Sequence, residues 1–219
     1  MTAHISQLAA DTTSRTIHDK WLLCLAVALV ALMATGWPDG LMHLRYDRSG
    51  LMDGEVWRVL TAHLVHLNRL HLLINLLGLL LVCELQWGAL PLRHGIGLLG
   101  FSGAAISASL WWLHPELVWY AGLSGVLHGL WAGCVLFGLR PALNASLHSR
   151  LPYLAGAFLL AAKLLMEFRC GASENTAHLI GGGVVTASHF YGALDGAVYV
   201  LLWGCVRVLA TPRGVPQRQ

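Results

Sequence analysis

The stretch YAGLSGVLHGLWAG, residues 120–133, places a single serine among glycines at the start of an apolar run. Ser124 has two interpretations here, as a small residue that lets two helices pack or as a nucleophile. Gly125, Gly129 and Gly133 recur every four residues, a spacing that permits close approach of a second helix inside a membrane. These fourteen residues are compatible with both interpretations, so the rest of the chain must decide between them.

The composition is that of a membrane protein. Of the 219 residues, 56% are hydrophobic and only 11% are charged, whereas soluble domains carry roughly 25% charged residues. The net charge of +3 is scattered, and without a basic patch we expect no nucleic-acid partner. Four of the five cysteines lie inside apolar runs, a distribution that favours neither a disulfide framework nor a zinc site.

The chain contains six apolar runs near the length of roughly 20 residues that a bilayer-spanning helix needs. They cover residues 21–37, 66–83, 92–113, 120–139, 151–168 and 188–210. The first run, preceded by Arg15 and Lys20, also fits a signal peptide, but the many runs after it favour a retained membrane helix. We therefore predict an all-α membrane protein, a six-transmembrane-helix bundle over residues 21–210 with cytoplasmic tails at 1–20 and 211–219.

The distribution of basic residues favours both termini on the cytoplasmic side. In that orientation the second, fourth and sixth helices all run from the outer face inward. His71, Asn75, Ser124 and His189 are early in these helices and therefore lie at one depth. Polar side chains inside a membrane usually face the bundle interior and mark a functional site.

These residue types are suited to acyl transfer. A serine hydroxyl needs a base to take its proton, and histidine is the usual base near neutral pH. His71 and Asn75 are about 40° apart on a helix, so both can donate to a developing oxyanion. Ser124 begins a helix, where backbone N–H groups lack intrahelical partners and can do the same. His128, one turn below Ser124, is placed to stack on the base or to position it.

Two glycines of the sixth helix favour its contact with the fourth. Gly192 and Gly196 have the same four-residue spacing as the glycines that follow Ser124. Packing of the two sets would bring His189 within hydrogen-bond range of Ser124. Asp195 lies about 240° around the helix from His189 and is a poor third member. With no other carboxylate at a fitting position, we predict a Ser–His dyad.

Two further groups of polar residues have less specific interpretations. The segment HLVHLNRLH contains His63, His66 and His71, but they are spread too widely around a helix for a metal site, and no second histidine cluster follows. We predict no metal and no cofactor. Lys163 and Glu167, four apart, favour an ordinary ion pair at the membrane interface; the alternative is a polar strut beside a substrate entrance.

Three motifs in this order resemble the rhomboid family of intramembrane serine proteases. GLSGVLHG, residues 122–129, resembles the family's nucleophile motif. EVWRVLTAHLVHLNRLHLLINLLG, residues 55–78, is similar to its Trp-Arg segment and its His- and Asn-bearing second helix. SHFYGALDG, residues 188–196, resembles the sixth-helix pattern of a base histidine followed by two spaced glycines. Within the family, the closer resemblance is to the bacterial rhombosortases.

The resemblance implies a role for each site residue. Ser124 would be the nucleophile and His189 the general base. The side chains of His71 and Asn75, with the backbone N–H groups of Leu123 and Ser124, would bind the oxyanion. His128 stands where many rhomboids carry a tyrosine that packs on the base. The implied substrates are transmembrane proteins, in particular exported proteins with C-terminal Gly-Gly membrane tails, cleaved from the periplasmic side of a bacterial inner membrane.

Two alternatives stay open. AHLIGG, residues 177–182, also resembles the base motif and would make His178 the base. His189 is preferred because it opens a run that can span the bilayer, with glycines three and seven residues later. The alternative function is a non-proteolytic rhomboid-like protein that binds or escorts membrane clients. Under the protease hypothesis, we expect a polar cavity open to the outer side, capped by the glycine-rich loop 169–187.

Overall fold

The computed structural model of the protein describes residues 2–87, 90–142 and 146–210. Its elements are α1 (Thr2–Gly36), α2 (Gly40–Leu44), β1 (Tyr46–Asp47), α3 (Arg48–Met52), α4 (Arg58–Thr61), α5 (Arg69–Leu85), α6 (Leu92–Leu113), β2 (Trp119–Tyr120), α7 (Ser124–Ala142), α8 (Leu147–Cys170), α9 (Glu174–Ile180) and α10 (Thr186–Ala210). The prediction of an all-α membrane bundle is confirmed. Residues 2–20, predicted to be a cytoplasmic tail, form the first part of α1. The predicted tail at 211–219 lies outside the described residues.

Three of the described helices are long and apolar enough to cross a membrane. They are the His18–Gly36 part of α1, α6 and α8. Large apolar side chains on these helices, such as Met33 and Phe168, are exposed, as expected for surfaces that face lipid. The other long helices, α5, α7 and α10, complete the bundle, and the count of six spans stays a prediction.

Helix α7 lies at the centre of the bundle and packs on α6, α8 and α10. The predicted glycine contact with α10 is present, because Gly192 and Gly196 lie against the carbonyl oxygens of Gly125 and Gly129. Gly133 differs from the expectation, since it faces the Leu98 side chain of α6 instead of α10. The glycines of α7 therefore allow close packing of two neighbouring helices, α10 and α6.

We expect Gly192→Ala to destabilise the bundle by about 1–3 kcal/mol, the usual cost of overpacking. The added methyl group would collide with the Gly125 carbonyl oxygen and push α10 away from α7. Thermal unfolding of the purified protein in detergent measures the effect. Gly100→Ala in α6 is the matched control, because no atom lies within 4 Å of a methyl group there. Equal unfolding midpoints for the two variants would show that the close approach is not required.

Hydrogen bonds from two arginines stabilise the segment between α1 and α5. Arg58 is buried, pairs with Glu55, and donates hydrogen bonds of 2.9 Å to the carbonyl oxygens of Met42 and Arg45. Arg48 donates to carbonyl oxygens in and just after the last turn of α6, namely those of Leu110, Trp111, His114 and Leu117. Both side chains therefore attach this segment to backbone carbonyl oxygens at or near helix ends, where such acceptors are incompletely paired within the helix.

A short two-stranded sheet connects this segment to the start of α7. Strand β1 pairs with β2 in antiparallel register, with Tyr46 opposite Tyr120 and Asp47 opposite Trp119. Because Tyr120 is in β2, α7 begins at Ser124, four residues later than the apolar run predicted. The sheet therefore fixes the chain immediately before the serine.

Two of the cysteines lie side by side where α1 packs on α5. Cys24 of α1 and Cys83 of α5 are 59 positions apart in the chain, and their Cα atoms are 7.3 Å apart. Only the packing of the two helices brings them together.

Candidate active site

Ser124 is the first residue of α7, is half-buried and lines a cavity. The turn before it is held by two hydrogen bonds, from the Gly122 N–H to the Ala62 carbonyl oxygen (2.9 Å) and from the Tyr120 hydroxyl to the Gly122 carbonyl oxygen (2.8 Å). Because Ser124 begins the helix, its N–H and that of Leu123 have no intrahelical carbonyl to bond.

Two features of the backbone at position 122 favour glycine over any other residue. Its φ of 131° lies in a region that L side chains rarely adopt. A methyl group at this position would also lie 2.8 Å from Cε1 of His71. The His71 ring therefore lies directly against the turn that carries Ser124.

His189 lies in the first turn of α10, with its ring against Ser124. Its Nε2 is 2.8 Å from Ser124 Oγ. The ring is buried and stacks on His128, with ring centroids 4.3 Å apart and an interplanar angle of 12°. His128 is itself fixed, because its Nδ1 lies 2.7 Å from the Ser124 carbonyl oxygen.

A carboxylate lies on the far side of the His189 ring, contrary to the sequence expectation. Glu167 Oε2 is 2.8 Å from His189 Nδ1, and Glu167 Oε1 is 2.5 Å from Lys163 Nζ. The prediction that no carboxylate fits beside the base was therefore wrong. Asp195 was correctly set aside, because both ring nitrogens of His189 contact other residues.

The geometry fixes the histidine tautomer. An ionised carboxylate only accepts hydrogen bonds, so Nδ1 of His189 carries the hydrogen that is donated to Glu167. In the neutral ring, Nε2 is then the acceptor for the Ser124 hydroxyl. This is the tautomer that a general base for Ser124 needs.

His71 and Asn75 of α5 are buried and line the same cavity as Ser124. The His71 Nδ1 lies 3.4 Å from the Leu67 backbone N–H, which leaves Nε2–H of the ring as a free donor. The Asn75 side-chain amide donates to the His71 carbonyl oxygen at 3.0 Å and keeps its second hydrogen. Both side chains can therefore donate to a group bound beside Ser124.

The alternative base, His178, is exposed in α9. The structure brings His189 to Ser124, and the hydroxyl bonds to that ring. Of the two histidines considered from the sequence, His189 alone is placed in the first turn of α10, the helix that packs on α7.

The cavity has a volume of about 850 Å³ and extends from Ser124 between α5 and α8. Its walls along these two helices are mainly apolar, from residues such as Ile74, Leu81, Leu159 and Met166. Residues of the 169–187 segment, which contains α9, line the cavity as well. The segment that was predicted to cap the cavity therefore contributes to its lining, and its role as a cap stays a prediction.

One exposed carboxylate lies at the rim of the cavity. Glu116 is 3.0 Å from His114 Nδ1, and the other nitrogen of His114 is 2.9 Å from the Tyr191 hydroxyl. Hydrogen bonds from its own backbone N–H and from His114 hold the pKa of Glu116 below its ordinary value. The rim therefore carries a negative charge at neutral pH.

The histidine-rich segment before α5 does not form a metal site within the described residues. His63 Nε2 contacts the Gly103 carbonyl oxygen and the Ser107 hydroxyl, and His66 Nδ1 contacts the Thr35 hydroxyl. His128, Glu167 and His189 lie close enough together for metal ligation. However, the two imidazole rings are stacked nearly parallel, so their lone pairs do not converge on one point.

A comparison with protein families fits this arrangement. The family model described as the rhomboid domain matches residues 53–204, about two thirds of the chain. The chain belongs to the rhomboid family. No curated protein matches it. Rhomboids are intramembrane serine proteases that act on transmembrane substrates within the bilayer, and membership supports this general activity and a multi-pass membrane location for the protein.

The match begins at residue 53, just after α3, and extends through most of α10, so it contains all the residues of this rhomboid that line the cavity. It includes Ser124, His189, His71, Asn75 and His128. Glu167 is also inside the match, although the sequence patterns did not single it out as a partner of His189.

Proposed function

We propose that this rhomboid is an intramembrane serine endopeptidase with Ser124 as the nucleophile and His189 as the general base. The observation that carries the proposal is the 2.8 Å contact between Ser124 Oγ and His189 Nε2 inside a cavity bounded by apolar helices. His128 supports the base by stacking beneath it.

The reaction follows the order of acyl transfer. His189 Nε2 takes the hydroxyl proton as Ser124 Oγ attacks the substrate carbonyl carbon. The resulting oxyanion accepts hydrogen bonds from His71, Asn75 and the backbone N–H groups of Leu123 and Ser124. The C–N bond then breaks, and the leaving amine takes the proton from His189. A water molecule, activated by the same base, hydrolyses the acyl-enzyme and frees Ser124.

We propose that substrates enter between α5 and α8. The apolar walls of the cavity along these helices suit a transmembrane segment, and the polar end at Ser124 suits an unwound stretch of backbone. Gly-Gly sequences unwind readily because glycine disfavours helix. Together with the resemblance to rhombosortases, this supports C-terminal Gly-Gly membrane tails of exported proteins as substrates, cleaved from the periplasmic side of a bacterial inner membrane.

The test is co-expression with an exported reporter that ends in Gly-Gly, an apolar helix and a basic tail. We expect the wild-type protein to remove the tail and Ser124→Ala to leave it attached. A matched reporter with Leu-Leu in place of Gly-Gly should be cleaved at least about tenfold more slowly, because leucine stabilises the helix.

The outcomes separate the parts of the proposal. Equal cleavage of both reporters would overturn the Gly-Gly preference while supporting the protease. Tail removal by Ser124→Ala would overturn the protease itself. Capture of the intact reporter by the wild-type protein, without cleavage, would support the escort alternative.

A further inference from the structure

We infer that Glu167 is a positioning residue for His189, so that the site works as a Ser–His–Glu relay instead of a dyad. The inference rests on the proposed protease function and extends it to a residue on a third helix. Ser124 is on α7, His189 on α10 and Glu167 on α8, and the relay therefore depends on how these three helices pack.

The contacts of His189 carry the inference. Its two ring nitrogens are both 2.8 Å from a partner, Ser124 Oγ on one side and Glu167 Oε2 on the other. The His189 and Glu167 side chains are only 6% and 13% exposed, so water competes little for either hydrogen bond. A carboxylate in this place fixes the ring orientation and holds the hydrogen on Nδ1.

Lys163 gives the carboxylate its own support. The two Glu167 oxygens are divided, with Oε1 on Lys163 Nζ and Oε2 on His189 Nδ1. A carboxylate inside a membrane is costly unless it is paired, and Lys163, one turn earlier on α8, provides that pairing. The sequence spacing predicted this ion pair, but the contact with His189 gives it a further role.

One proton moves through His189 during the reaction. As Ser124 Oγ bonds to the substrate carbonyl carbon, its proton moves to His189 Nε2, and the Nδ1 hydrogen stays in place. Glu167 remains a carboxylate and stabilises the positive charge that forms on the ring. When the C–N bond breaks, the Nε2 proton passes to the leaving amine and the ring is neutral again.

The experiment compares variants of the purified full-length protein in liposomes with a transmembrane substrate. Glu167→Gln keeps the side-chain shape but loses the negative charge. We expect kcat to fall about 10- to 100-fold with KM within about twofold, a smaller loss than the roughly 10⁴-fold seen when a triad aspartate becomes asparagine, because His128 also holds the ring.

The pH profile distinguishes positioning from stability. The charged and titratable groups facing His189 are Glu167 and Lys163 on α8, His128 on α7 and His71 on α5. Without the carboxylate, protonated His189 is less favoured, so the acid limb of kcat should move to lower pH in Glu167→Gln. Glu167→Asp retains the charge and should keep the acid limb close to the wild-type position despite a reduced kcat.

Two controls complete the design. Lys163→Met removes the ion pair but leaves the Glu167 charge, and we expect a loss in kcat of about twofold to fivefold, because the carboxylate still bonds the ring. Glu84→Gln removes a carboxylate from an exposed pair with Lys20 and should have wild-type activity. Thermal unfolding of each variant shows whether it folds.

The results separate failure of the relay from failure of the protease. If Ser124→Ala cleaves the substrate, the proposed protease function is overturned. If Ser124→Ala is inactive and Glu167→Gln has the wild-type kcat and pH profile, the relay alone is overturned. The relay is also overturned if Glu167→Gln and Lys163→Met lose kcat equally and neither acid limb moves. The ion pair would then have a structural role only. If Glu167→Gln does not fold, the kcat of Glu167→Asp decides. A lower kcat at an unchanged unfolding midpoint would support the relay, and a wild-type kcat would overturn it.

Discussion

His189→Ala is expected to reduce cleavage of a transmembrane substrate by about 10⁴-fold or more, to the level of Ser124→Ala. The imidazole is the group that contacts the Ser124 hydroxyl, and without a base the hydroxyl is a weak nucleophile. Because the two residues act as a unit, the double variant should be no worse than either single variant. The measurement is kcat for a purified transmembrane substrate.

His178→Ala is the matched control for this prediction. His178 is exposed in α9, and its removal should change kcat by less than about threefold, as expected for a residue outside the reacting groups. The opposite pattern, with an inactive His178→Ala and an active His189→Ala, would mean that the glycine-rich segment before α10 supplies the base.

Asn75→Ala should lower kcat by about 10²- to 10³-fold, the usual effect of removing one oxyanion donor. Its amide lines the cavity beside Ser124 and has one hydrogen left after bonding the His71 carbonyl oxygen. The loss should appear in kcat with little change in KM, because the hydrogen bond strengthens only as the carbonyl becomes an oxyanion.

Asn68→Ala provides the comparison for Asn75. The Asn68 side chain caps α5 by accepting the His71 N–H at 2.7 Å, so its loss should cost about 1 kcal/mol of stability and reduce kcat far less than Asn75→Ala. Equal effects of both variants on kcat and on thermal unfolding would indicate that Asn75 has a structural role only.

Much of this site was accessible from the sequence because a membrane restricts where polar residues can lie. The alternating direction of the helices predicted a common depth for four residues, namely Ser124, His189, His71 and Asn75. In the structure these residues line one cavity. The glycine spacing predicted the contact between α7 and α10, and the one-turn offset of His128 predicted a place beside the base. These inferences depended on helix geometry and on the alternating direction of successive membrane-spanning helices.

The remaining features depend on packing that no sequence pattern expresses. Glu167 is 22 residues from His189 on a helix whose rotation and tilt are set by its neighbours. Its spacing from Lys163 indicated an ion pair, and because that pair already explained the carboxylate, nothing in the sequence indicated a contact with His189. The loop fold around Arg48 and Arg58 was missed for a related reason, since their acceptors are backbone carbonyls, which are present at every residue.

The most direct measurement of the central claim is covalent labelling with a fluorophosphonate, which reacts with activated serines, followed by peptide mass spectrometry. The predicted result is one adduct on the peptide that contains Ser124, lost in His189→Ala and retained in His178→Ala. An adduct on another serine, or no adduct from a preparation that cleaves its substrate, would contradict the assignment of Ser124 as the nucleophile.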